Sequence, residues 1–219
     1  MAKSLPDILY LRDKVTPVLD SPVSSYQIPY NKTAEYFANW QSYNQFVKSC
    51  EQVVRTNKRY KAYIAHLKNE VKLNHCQVFS ALTDDDCSIE MHHGPIFNLF
   101  DYCSIVLEYY LIKKWKITTF AIADTVLSEH EKNHVQVVML STTAHEEVHN
   151  RNLFINYRQA YGDLNAFVKK YGIAMGPEHK EKFNRYIDQS LMRDSDDNGL
   201  FELSSLIYKY DMEGDDDEL

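Results

Sequence analysis

Two histidine clusters, His92-His93 and His145-Glu146-Glu147-Val148-His149, constrain this chain more than any other feature. The first closes a short strand-like run, Ser88-Ile89-Glu90-Met91. The second follows an apolar run from Val135 to Leu140 that also reads as a strand, and Ser141-Thr142-Thr143 supplies helix N-cap chemistry at the junction. Residues four apart share one face of a helix, so the imidazoles of His145 and His149 converge. The spacing predicts a strand ending in a histidine pair, a second strand, and a short helix bearing two further histidines. Such a set has the donor chemistry to hold a divalent ion.

At these residues the sequence resembles the HNH (His-Asn-His) endonucleases, whose ββα-metal core has this layout, over roughly residues 70–155. The resemblance implies that His92, His145 and His149 hold one divalent metal ion (Mg, Mn, Ni or Zn). The ion would contact the scissile phosphate and stabilise the leaving 3′ oxygen. It implies that His93, neutral near pH 7, takes a proton from water. Gln136 stands nine residues before His145, where the family carries Asn, and would fix His93 by hydrogen bonding; Asn133 lies nearby. Arg151 would contact a phosphate oxygen. Many members also hold a structural zinc in C-x-x-C pairs, but of those cysteines only Cys76 stands here, so no structural zinc is expected. The aromatic, Asn-rich chain is also reminiscent of bacteriophage HNH proteins. The expected activity is hydrolysis of phosphodiester bonds, with DNA as the nucleic-acid partner.

Two other readings compete. HEEVH also fits H-E-x-x-H, the zinc-protease signature. That motif belongs inside a long helix, whereas here a strand-like run leads into it, and no third ligand stands at the usual downstream spacing. The second is a catalytically degenerate HNH-fold binding protein, a phage accessory or structural factor that engages a nucleic-acid enzyme or assembly through its helices and acidic tail. The remaining histidines, His66, His75, His130, His134 and His179, read as surface or capping residues.

Charge qualifies the nucleic-acid expectation. The chain of 219 residues carries a net charge of −7. Residues 194–219 hold ten acidic residues against Lys209, a charge of −9, which leaves +2 for the rest. Within that body Arg55, Lys58, Arg59, Lys61, Lys68 and Lys72 face only Glu51 and Glu70. Such a stretch can follow a phosphate backbone or form a solvated helix face. The final stretch, Gly214-Asp215-Asp216-Asp217-Glu218-Leu219, has no means of burying itself and is expected to be disordered, and the acidic tail to engage a basic protein partner or shield the basic stretch.

The apolar segments are interrupted by charge and the start of the chain lacks a signal-like apolar core, so no membrane span is expected and a cytoplasmic location is. Four unevenly spaced cysteines suggest no disulfide framework. The fold class expected is α+β, helix-dominated, with a small antiparallel β-hairpin plus helix at its centre. Residues 1–32 read as an extended arm with four prolines, and 33–74 as a helical region. Residues 75–152 form the HNH-like region, interrupted by a helical insertion at 97–130. Residues 153–193 read as further helices, and 194–219 as the tail. Asp194-Ser195-Asp196-Asp197-Asn198-Gly199 follows the start of a calcium loop, but its twelfth position is Ser205 rather than Glu, so weak calcium binding or none is expected.

Overall fold

In the computed structural model residues 31–193 are described. The N-terminal arm up to residue 30, the calcium-like loop and the acidic tail lie outside the described residues. The described part is helix-dominated, with one small antiparallel sheet, an α+β architecture.

Helix α1 (Ala34–Phe37) leads into α2 (Trp40–Thr56) and α3 (Lys58–Asn69). The Asn39 side chain caps α2 by accepting from the Ser42 N–H at 3.0 Å. Phe46, Val47, Cys50 and Val54 recur at helical steps and form its buried stripe. Asn57, in extended backbone, ends α2, and its side chain accepts from the Arg59 N–H to start α3. On α3, Tyr60, Tyr63 and Leu67 face inward.

Strands β1 (Ile89–His93) and β2 (Val137–Ser141) pair antiparallel, with Ile89 opposite Ser141 and His93 opposite Val137. The insertion between them is two helices, α4 (Leu99–Ile112) and α5 (Thr119–Glu131). A reciprocal Asn98–Asp101 capping box starts α4, and Thr118 caps α5. Helix α4 buries residues on all sides because α2 and α5 both pack against it.

A two-stranded sheet is marginal alone, and its outer edge would be left unpaired. Here that edge of β2 is closed by side chain and loop. Val137 exchanges two backbone hydrogen bonds with Tyr161, both 2.8 Å. The Met139 carbonyl accepts from the Gln77 N–H at 2.8 Å, and the Met139 N–H donates to Gln77 Oε1 at 2.7 Å. Every residue of β2 is buried.

Helix α6 (Thr142–His149) begins at the last residue of β2, where Ser141 Oγ accepts from the Ala144 N–H. Beyond α6 the chain departs from the helix expected through Leu153, Tyr157 and Tyr161. Only a 3-10 turn, Tyr157–Gln159, forms before α7 (Leu164–Tyr171). The cause is tertiary: Tyr161 is held extended by its pairing with Val137, and Arg151 takes a φ of 62° that ends α6. After a second 3-10 turn, Gly172–Ala174, helix α8 (Pro177–Arg193) opens with proline at its first turn, where the missing N–H costs nothing. Phe183 and Ile187 bury one face of α8, and Phe183 stacks on Phe97 at 6.2 Å. No helix among the described residues is long and apolar enough to cross a membrane.

Gly162 makes the Tyr161–Val137 pairing possible. Its φ is +118°, and a Cβ there would lie 2.3 Å from the Val135 carbonyl oxygen. Gly162→Ala is therefore expected to destabilise the fold by more than about 1 kcal/mol. Denaturant unfolding measures this, and an unchanged midpoint would contradict the tight approach.

Candidate metal centre

Successive strand residues point to opposite faces of a sheet, so His92 and His93 cannot share a site by pointing the same way. His92 faces α6. Its ring centroid lies 5.0 Å from that of His145 and 5.2 Å from that of His149. The ligand-capable nitrogens of these three residues all lie within 4.8 Å of one another. The i, i+4 spacing on α6 brings His145 Nε2 within 3.0 Å of His149 Nε2.

Glu90, two residues before His92 and so on the same face of β1, accepts from His145 Nδ1–H at 2.8 Å. That bond fixes the tautomer and leaves His145 Nε2 with its lone pair turned to the other imidazoles. Burial, with the neighbouring His145, His149 and Arg55, pushes His92 down to about 4. It is therefore neutral at pH 7, the form a ligand needs. Gly94 leaves room beside it: with φ +154°, a Cβ there would come within 3.2 Å of the His92 ring.

Three neutral-capable imidazoles with a carboxylate behind one of them fit a single divalent ion. Metal–nitrogen bonds of about 2.0–2.1 Å require ligand atoms a few ångströms apart, as the three are here. Imidazole donors suit zinc or nickel better than magnesium or manganese.

The two residues assigned catalytic roles by resemblance stand elsewhere. His93 is 5% exposed and points into the core. His130 Nδ1–H donates to the Val126 carbonyl at 2.7 Å, so its Nε2 accepts from His93 Nε2–H at 2.9 Å. Tyr60 stacks on His93 at 5.9 Å, and Tyr63 meets His130 edge-on at 5.3 Å. Burial holds His93 well below the usual histidine range and His130 at about 4, so both are neutral at pH 7. Gln136 is also buried, and its side chain makes no hydrogen bond to His93; its Oε1 has no hydrogen-bond partner among the described residues. Its backbone N–H donates to the Tyr102 hydroxyl, and its carbonyl accepts from the Gly94 N–H.

His130 thus differs from the surface or capping role expected of it: it is fully buried. His134 pairs with the buried Glu129 at 2.7 Å, and His179 lies 3.2 Å from Ser104 Oγ. No local spacing signals the His93–His130 and Ser104–His179 contacts, which join segments 37 and 75 residues apart, whereas Glu129 and His134 are only five apart.

The basic residues divide in the same way. Arg59 is held by Glu131 at 2.6 and 2.7 Å and by Asp124 at 2.5 Å, a clamp between α3 and α5. Arg55 lies 3.5 Å from Glu51. Lys58 and Lys61 are exposed on α3. Arg151 instead lines a cleft of about 570 Å³ that also includes His92, Val148, Phe154, Lys182 and Arg185. Lys182 and Arg185 were not marked by the sequence, where acidic neighbours on α8 mask their shared face.

If Glu90 orients His145 for an ion, Glu90→Gln should weaken zinc or nickel binding by about 10- to 100-fold. Titration calorimetry tests this, and an affinity equal to that of the parent would show that the contact carries no such role.

Over residues 22–209 the chain matches the model of a protein family described as bacteriophage G278-like virion protein. No curated protein and no solved structure matches it.

Proposed function

This chain belongs to the bacteriophage G278-like virion protein family, and we propose that it carries a metal-dependent phosphodiester hydrolase centre, an HNH-type endonuclease acting on DNA. The observation that carries this is the convergence of His92, His145 and His149 at the edge of a cleft lined by Arg151, Lys182 and Arg185.

A divalent ion bound by the three imidazoles would supply Lewis acidity toward a phosphate oxygen and lower the pKa of water. The chain's own residues do the rest. Strand β1 fixes His92, and Glu90 holds His145 in the tautomer that presents Nε2. Helix α6 brings His149 to the same point. Arg151 offers a guanidinium to phosphate oxygens, for which its planar fork is suited. His93 and His130 bond to each other across the core and bind the insertion to the hairpin.

The burial of His93 and Gln136 favours a second reading, a virion component in which the same fold binds without cutting. Cleavage of supercoiled plasmid in magnesium, manganese, nickel or zinc separates the two. The hydrolase reading expects metal-dependent nicking or linearisation, reduced more than about 100-fold in His145→Ala and His149→Ala. It expects His93→Gln to lower the unfolding midpoint while the folded protein still cuts. A folded, metal-loaded parent that leaves plasmid intact would establish the binding reading instead.

A further inference from the structure

We propose that the cleft between the histidine cluster and α8 is a track for a polynucleotide backbone, with Arg151 and Arg185 as its phosphate contacts. The identity of the anion rests on the hydrolase reading, since phosphodiesters are what such a centre acts on. The site itself rests on the cleft.

Three cations from two chain segments meet there. Lys182 and Arg185 stand at i and i+3 on α8, one face of a helix, and Arg151 comes from the segment leaving α6. Arg151 and Arg185 are exposed, and neither has a carboxylate partner among the described residues. Lys182 lies on the same wall but is paired with Asp101 at 2.5 Å, so it is not counted among the phosphate contacts. Arg151 is held in left-handed backbone, φ 62°, by its N–H bond to the Val148 carbonyl. A non-glycine residue there is uncommon, and this one aims a cation into the cleft beside the metal ligands.

The cleft wall also has aromatic surface. Phe154 stacks on Tyr186 at 5.0 Å with their planes 15° apart. Cations lining a groove with aromatic side chains are the combination that tracks nucleic-acid strands. The basic stretch on α2 and α3 is the poorer candidate, because Arg59 is consumed by Glu131 and Asp124, Arg55 lies beside Glu51, and Lys68 pairs with Asp84 at 2.9 Å.

The test is fluorescence anisotropy of the full chain with labelled single-stranded and duplex DNA of about 20 nucleotides, in EDTA, between about 50 and 200 mM salt. In EDTA binding is read without cleavage. Arg151→Gln and Arg185→Gln should each weaken binding and reduce the salt slope by about 0.7 on the single strand or about 0.9 on the duplex. Lys58→Gln and Lys61→Gln should leave the slope as in the parent. A parent that does not bind either DNA overturns the proposal, as does a slope that responds to the α3 variants and not to the cleft variants. A parent that binds through the cleft but never cuts plasmid retains the track and refutes the hydrolase reading.

Discussion

The alternation of side chains along β1 decides how this molecule is built. Residues 90 and 92 emerge on one face and 89, 91 and 93 on the other, so the adjacent histidines are divided between two environments. One face carries Glu90 and His92 to α6 and its two histidines. The other carries His93 to His130 on the inserted helix pair. The same five residues thus hold together a polar cluster and the contact that docks the insertion. A one-residue slip of β1 against β2 would exchange the two faces and lose both.

That register is protected from both sides of the hairpin. Gln77 and Tyr161 satisfy the outer edge of β2, and α6 springs directly from Ser141 with its first turn capped. The insertion does not disturb the pairing because its ends are held close by the strands it separates, and its own helices are buried against α2. Helix α8, far along the chain, then closes one side of the cleft beside His92. Its Ser190 Oγ accepts from the Tyr157 N–H, and the Tyr186 hydroxyl donates to the Ile155 carbonyl, so the irregular segment after α6 and the final helix are fixed together.

Much of this was legible in the sequence where local rules act alone. The i, i+4 spacing of His145 and His149, the Ser141 cap, the two strands and the helices within 97–130 each follow from periodicity or capping over a few residues. The helix expected after His149 was not found, because the Tyr161–Val137 pairing overrides a helical apolar spacing that is otherwise present. The burial of His130 was hidden for a related reason: its partners, His93, Tyr60 and Tyr63, come from three other elements. Lys182 and Arg185 looked like part of an ordinary mixed-charge helix face, and only the fold reveals that this face borders a cleft. The basic run on α3, conspicuous in sequence, proves to contain ion pairs that fasten α3 to α5. The match to a bacteriophage virion protein family agrees with the phage character suggested by the sequence.

The central claim is that His92, His145 and His149 form one metal centre while His93 stays in the core. Anomalous diffraction from crystals soaked in zinc or nickel tests it most directly. The account predicts one strong peak bonded to nitrogens of those three imidazoles, with Glu90 still on His145 Nδ1 and His93 still on His130. The absence of a peak there, or a peak ligated by His93, would contradict it.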